Sequence, residues 1–105
     1  MAHFEFDTSF RAGLQQQGAY CWQFFSIAYP SCKLAEGIFS GAIYSGTKPW
    51  DIAAAKLIVE EAGGKVTDLY GQEQRYDQLI NGAVLSNGAI HDLLISGLKG
   101  QVRVR

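Results

Sequence analysis

The sequence has no excess of positive charge. Its 105 residues contain 9 lysines and arginines against 10 aspartates and glutamates, which gives a formal net charge of −1. A protein that binds the phosphate backbone of a nucleic acid usually has a basic face and a pI above about 9. We therefore expect no nucleic-acid partner.

The sequence also lacks a long apolar run. A membrane-spanning helix needs about 20 predominantly apolar residues, and Lys33, Glu36, Lys56 and Glu60 interrupt the longest candidate stretches. Residues 1–7 do not contain the basic segment and apolar run of a secretion signal. These absences predict a cytoplasmic protein without a membrane partner.

Cysteine and histidine are scarce. The two cysteines, Cys21 and Cys32, do not form a CxxC motif, and the two histidines, His3 and His91, have no second metal ligand at a characteristic spacing. The sequence contains no GxSxG, P-loop, GxGxxG or HExxH motif. It therefore offers no zinc site and no complete catalytic motif.

The composition is that of a folded domain. Hydrophobic residues make up 48% of the chain and charged residues 18%, as in soluble globular proteins. A chain of this length buries roughly two-thirds of its surface on folding, so we interpret residues 1–105 as a single domain. Predicted strands alternate with predicted helices, which favours an α/β layered domain with a mixed, mostly parallel sheet flanked by helices.

The clearest predicted element is a helix that begins after Lys48. Pro49 suits the first helical turn, Asp51 is favoured at the positive end of the helix dipole, and the glycines at 63–64 can adopt the positive φ that ends a helix. The alanines at 53–55 predict that this helix packs closely against a sheet or another helix.

The other predicted elements follow from apolar periodicity and from glycine and proline positions. Strands are predicted at 19–25, 39–44, 65–69 and 82–86, and helices at 26–37 and 89–98. The polar segment 70–75 is predicted to be a surface turn. The termini, 1–18 and 99–105, give weak signals, although both contain short alternating stretches.

Asp51 is the sharpest candidate for chemistry. A carboxylate in the first turn of a helix can simply stabilise the helix dipole, and this structural role stays open. Mg²⁺ prefers near-octahedral oxygen coordination from one or two carboxylates, waters and a substrate phosphate, so a metal role would require partners for Asp51. Glu60 and Glu61 lie on the same helix but about 14 Å away, at ~1.5 Å per residue.

Five segments of the chain resemble the C-terminal signature of the inositol monophosphatase family. They are SIAY at 26–29, CKLAEG at 32–37, KPWDIAA at 48–54, EAGGKVTD at 61–68, and AVLSN at 83–87 followed by His91. The resemblance covers residues 19–98. It implies a fold like the C-terminal domain of that family.

The resemblance also implies a chemistry. The family consists of Mg²⁺-dependent phosphomonoesterases in which the aspartate of the Trp-Asp pair is a metal ligand, so Asp51 inherits that role with Mg²⁺ as the cofactor. Phe25, Ser26, Ile27 and Tyr44 would line the substrate side of the pocket. Phe25 stands where the family usually has glycine, and Tyr44 where it often has a sugar-binding carboxylate, which argues against a preference for inositol.

The N-terminal half of the family, with its GEE glutamates and DPxDGT aspartates, has no counterpart in this sequence. Two-metal phosphoryl chemistry cannot be assembled on one carboxylate. We therefore expect the substrate-pocket half of a phosphatase acting on a phosphorylated small molecule, with no complete catalytic set of its own.

The alternative is a non-catalytic domain that associates with itself as a homodimer or with the missing N-terminal half. Aromatic residues crowd one part of the sequence, including Trp22, Phe24, Phe25 and Tyr29. A domain separated from its neighbour exposes apolar surface unless a partner covers it. These aromatic residues favour the alternative, although an ordinary core would also use them.

Overall fold

The computed structural model describes residues 4–6, 13–16, 18, 27–99 and 102–104. Its elements, in chain order, are β1 (Phe4–Phe6), α1 (Ala28–Ala35), β2 (Gly41–Tyr44), α2 (Pro49–Glu61), β3 (Lys65–Thr67), β4 (Ala83–Ser86), α3 (His91–Leu98) and β5 (Val102–Val104). The strand predicted at 19–25 lies outside the described residues. None of the described helices has the length and hydrophobicity needed to cross a membrane.

β4 is the central strand of a three-stranded sheet with the order β2-β4-β3. Leu85 of β4 lies between Ala42 of β2 and Val66 of β3, and both pairings are antiparallel. The predicted α/β class is confirmed. The expectation of mostly parallel pairing is wrong for the described strands, because β1 and β5 also pair antiparallel, in a separate two-stranded sheet.

The connections explain this difference. A strand-helix-strand pattern predicts two strands that run in the same direction, and β2 and β3 do so, because each is antiparallel to β4. The loop formed by residues 68–82 lets β4 return between them. The result is a split β-α-β unit, in which strand direction follows the sequence pattern but strand pairing does not.

The two faces of the sheet pack against different helices. One core cluster combines α1, α2 and the sheet, and contains Leu34, Ile52, Ala55, Val59, Val66 and Leu85. The other combines α3 with the opposite sheet face, and contains Leu69, Val84, Leu94 and Leu98. The described core therefore has helices on both sides of the sheet, and every residue of β4 is buried.

The predicted bounds of α2 are confirmed, but its predicted packing is confirmed only in part. It begins at Pro49, and the chain turns after it at Gly63, which has a φ of 90°. Ala55 is buried in the core, whereas Ala53 and Ala54 are exposed. The predicted close packing of the alanine run is thus wrong for two of its three residues, because the helix periodicity turns them away from the sheet.

His91, the first residue of α3, fastens this helix to the sheet. It is 2% exposed, with Nε2 2.8 Å from Oγ1 of Thr67 on β3 and Nδ1 2.8 Å from Oγ of Ser86 on β4. The Thr67 hydroxyl donates to the carbonyl oxygen of Asp68 at 3.0 Å, so it accepts from Nε2–H. This hydrogen-bond network assigns the lone pair of the ring to Nδ1, which accepts from Ser86.

The burial of His91 predicts acid sensitivity. Burial lowers the pKa of His91, and Lys65 lowers it further, while Asp92 opposes both effects. Below the unfolded-state pKa of about 6.5 the unfolded chain binds more protons than the folded chain. The free energy of unfolding should therefore fall as the pH decreases from about 6.5 through the lower folded-state pKa.

Urea denaturation followed by circular dichroism at several pH values measures this loss. His91→Gln should reduce the pH dependence, and His3→Gln, the matched control at the other histidine of the chain, should leave it unchanged. Equal pH dependence in wild type and His91→Gln would contradict the assignment.

Candidate metal and substrate site

Asp51 lies in the first turn of α2, just beyond the carboxyl end of β2. Lys48 is the N-cap residue, with an extended backbone (φ −86°, ψ 116°), and Pro49 fixes the start of the helix. The side chain of Asp51 is exposed. Its carboxylate therefore lies at the positive end of the helix dipole and is accessible to a ligand.

Tyr44, the last residue of β2, lies within electrostatic range of Asp51. Burial raises the pKa of Tyr44, the negative charge of Asp51 raises it further, and a hydrogen bond with the backbone of Lys48 opposes both effects. The phenol ring passes over Gly46, because a Cβ at that position would lie 2.6 Å from Cζ of Tyr44. Tyr44 thus carries a neutral hydroxyl within electrostatic range of the Asp51 carboxylate.

Ile27 directly precedes α1 and is partly buried against the core cluster shared by α1, α2 and the sheet. Its carbonyl oxygen accepts hydrogen bonds from the N–H and Oγ of Ser31 at 3.0 and 2.7 Å. A substrate contact by its side chain stays a prediction. Phe25 and Ser26 lie outside the described residues, so Tyr44 and Asp51 are the predicted site residues that the structure brings together.

Two other acidic residues near α2 and β3, Asp68 and Glu73, make structural contacts. Asp68 is buried and its Oδ1 accepts from the N–H groups of Tyr70 and Gln72, both at 2.9 Å, so it closes the turn. Glu73 pairs with Lys56 of α2 at 2.7 Å and ties the 68–82 loop to that helix. The turn predicted after β3 is confirmed.

The described residues do not fit a complete magnesium site. In the part of the chain that the structure describes, no three His, Cys, Asp or Glu side chains lie together in a way that could hold a metal ion. Asp51 supplies one carboxylate, and the protonated phenol of Tyr44 is not an anionic ligand. One or two carboxylates hold a single Mg²⁺ only together with waters and a phosphate, and a two-metal centre requires more.

Comparisons with known proteins agree on one family. The model of the "Inositol monophosphatase family" matches residues 5–103. A fructose-1,6-bisphosphatase/inositol-1-monophosphatase of Aquifex aeolicus is 40% identical over 73 residues, which are 70% of this chain and 26% of that protein. The structure of a Thermotoga maritima IMPase superposes with a TM-score of 0.78 and 30% identity, over 90% of this chain and 36% of that one.

A further structure, of an IMPase/NADP phosphatase complexed with Mg²⁺ and phosphate, gives a TM-score of 0.63 at 32% identity, over 70% of this chain and 28% of that one. The chain thus spans only about a quarter to a third of the length of these three relatives, at 26%, 36% and 28%. The named activities belong to those longer proteins.

The proximity of Tyr44 and Asp51 can be tested directly. Asp51→Asn should lower the pKa of Tyr44, because it removes a negative charge that raises this pKa. NMR titration of the chain with labelled tyrosine rings measures the change. Asp92→Asn, which alters an acidic residue in the first turn of α3, should leave the Tyr44 titration unchanged, and equal effects of both substitutions would contradict the geometry.

Proposed function

The chain belongs to the inositol monophosphatase family, and we propose that it forms the C-terminal, substrate-pocket half of a Mg²⁺-dependent phosphomonoesterase. The observation that supports this proposal most is the identity and position of Asp51. It matches the metal-binding aspartate of the family signature, and it lies exposed at the N-terminus of α2. The relative complexed with Mg²⁺ and phosphate supports the choice of metal.

In this proposal Asp51 contributes one carboxylate to a metal site that acidic residues of the family's N-terminal half complete. A bound metal ion would stabilise the charge that develops on the phosphoryl oxygens. Tyr44 presents a neutral hydroxyl, which can donate a hydrogen bond to a phosphorylated small molecule without repelling it. The free, exposed thiol of Cys32 favours the reducing cytoplasm as the location.

The chain alone should be catalytically incomplete. We expect no hydrolysis of p-nitrophenyl phosphate or sugar phosphates above the buffer control in saturating Mg²⁺, because one carboxylate cannot assemble a two-metal centre. Release of inorganic phosphate measures this. Turnover that disappears in Asp51→Asn and persists in Asp92→Asn would show that the chain carries a complete site.

A chimera tests whether this chain can serve as the C-terminal half of an active phosphatase. In it, this chain replaces the matching region of the Thermotoga maritima IMPase, and we expect Mg²⁺-dependent phosphatase activity. Asp51→Asn should lower kcat by about 100-fold or more, since losing a direct ligand should cost more than losing an outer-shell partner. Asp92→Asn should retain activity. A folded, monodisperse chimera without activity, or equal rates in both variants, would contradict the proposal.

A second candidate function, self-association, is favoured by the outer face of α2. Trp50 and Leu57 are each 64% exposed, and Ile58 is 41% exposed. The ammonium of Lys48 lies 5.9 Å from the centre of the Trp50 ring, at the N-terminal end of this face, and Glu61 is exposed at the C-terminal end. The face is therefore apolar in its centre, with Lys48 near one end and Glu61 near the other.

This arrangement is self-complementary. Two copies of α2 packed antiparallel about a two-fold axis would place each Trp50 against the Leu57 of the other copy and each Lys48 near its Glu61. The exposed alanines Ala53 and Ala54 lie midway between Trp50 and Leu57, where small side chains let two helices approach closely. We therefore propose a homodimer through this face for the chain on its own.

Light scattering over a hundredfold dilution tests this second candidate. Leu57→Glu should raise the dissociation constant about tenfold or more, whereas Leu79→Glu, at a residue that is 71% exposed, should not. Lys48→Glu and Glu61→Lys should each weaken the dimer, and their combination should restore it. A monomeric mass of the wild type at every concentration would contradict the proposal.

A further inference from the structure

The loop between β4 and α3 contains an Asn-Gly pair, Asn87 and Gly88, whose hydrogen bonds resemble those of a small reaction centre. We propose that Asn87 is a site of deamidation, in which the backbone nitrogen of Gly88 attacks the side-chain amide of Asn87 while Ser86 and His91 take up the proton. The modification is separate from the candidate metal and substrate site.

The proton acceptor for the nucleophile is already in place. The N–H of Gly88 donates to Oγ of Ser86 at 3.0 Å, and this Oγ lies 2.8 Å from Nδ1 of His91. Because Nε2–H is committed to Thr67, Nδ1 carries the lone pair and receives the Ser86 hydroxyl proton. A proton leaving Gly88 can pass to Ser86 as Ser86 passes its own proton to Nδ1, which is general base catalysis by a positioned pair.

The electrophile, the side-chain amide carbon of Asn87, also has a hydrogen-bond donor at its oxygen. Oδ1 of Asn87 accepts a hydrogen bond from the N–H of Ala89 at 3.0 Å. A donor at this oxygen stabilises the negative charge that develops when Cγ becomes tetrahedral. Asn87 is exposed, so water reaches the product, and Gly88, with a φ of 95°, has no side chain to shield its nitrogen.

The reaction balances with water as the only co-reactant. The bond between the Gly88 nitrogen and Cγ of Asn87 forms, the bond between Cγ and Nδ2 breaks, and Nδ2 leaves as ammonia with the proton that His91 held. Water then opens the succinimide ring, which yields either aspartate or an isoaspartyl linkage at position 87. Either product adds one negative charge to the formal net charge of −1.

A second Asn-Gly pair, Asn81 and Gly82, is an internal control. Asn81 is exposed as well, but its N–H donates to Oε1 of Gln74 at 3.0 Å and its carbonyl oxygen accepts from the N–H of Leu69 at 3.1 Å. The partners of the Asn81 backbone are an amide and a backbone group, and the Ser86–His91 pair contacts Gly88. The two sites therefore share a sequence motif and differ in their surroundings.

The experiment compares both sites in one peptide. The full chain is incubated at neutral pH, folded or unfolded in guanidinium, and then digested with trypsin, which releases residues 76–99 with both asparagines. Tandem mass spectrometry gives the deamidation rate at each site. We expect the ratio of the Asn87 rate to the Asn81 rate to be about tenfold or more higher in the folded chain, since a positioned general base contributes about 10²–10⁴-fold.

Two variants distinguish proton transfer through Ser86 and His91 from a general effect of loop mobility on the deamidation rate. Ser86→Ala should lower the rate ratio to that of the unfolded chain. Ser40→Ala should leave it unchanged, because the hydrogen bond that Ser40 accepts from the Asn87 N–H, at 3.0 Å, is to its backbone carbonyl oxygen. An unchanged ratio in folded Ser86→Ala would overturn the proposal. If Ser86→Ala unfolds the chain, the Asn81 rate should change to its value in the unfolded chain. The pH profile of the wild type then tests the proposal.

The pH profile gives an independent readout. Lys65 and Asp92 are the charged groups that act on His91, and burial keeps its pKa below the ordinary value. The Asn87 rate should therefore level off above that pKa, whereas the Asn81 rate should keep rising with hydroxide concentration. Equal pH slopes at the two sites, or an Asn87 amide that survives in the folded chain while the unfolded chain loses it, would overturn the proposal.

Discussion

The insertion of β4 between two strands that run parallel to each other is the constraint on which the other described layers depend. β4 hydrogen-bonds along both of its edges. Its Leu85 packs towards α1 and α2, and its Val84 packs towards α3. Each such buried aliphatic side chain contributes about 1.5–3 kcal/mol to stability. Without β4, the described β2 and β3 would lose their pairing partner and both helical layers would lose their common support.

The two ends of β4 lie next to different chemical groups. Tyr44 pairs with Ala83 at the end where β2 leads towards Asp51 and the N-terminus of α2. In α/β folds, ligands bind outside the carboxyl ends of parallel strands, and β2 and β3 both end on this side. Ser86 lies at the opposite end, paired with Gly41 and Lys65. The hydroxyl–imidazole cluster around His91 extends from Ser86 to Thr67, the last residue of β3, and lies on the sheet face that packs against α3, whereas α2, which carries Asp51, packs against the other face.

Local signals predicted α2 well, and non-local contacts explain what the sequence left undecided. Proline at the start of α2 and glycines after it are signals within one element, so the bounds Pro49–Glu61 follow from them. Strand order depends on where residues 68–82 return the chain, which no periodicity encodes. Likewise His91 appears isolated in the sequence, because Thr67, its partner on β3, is 24 residues away. Family membership was predictable because the motif around Asp51 is long and specific, whereas a metal role for Asp51 would need partners that the described residues do not supply.

The split β-α-β unit also has a consequence for synthesis of the chain on the ribosome. β2, α2 and β3 are complete once residue 67 has emerged, but the strand that pairs with both β2 and β3 begins only at Ala83. Until then, unpaired strand edges are exposed next to an apolar helix, which is a state prone to aggregation. Because these pairings are distant in sequence, their closure is slow compared with helix formation. Formation of this sheet is therefore expected to wait until β4 has emerged, and nascent chains that stall before β4 would depend on chaperones.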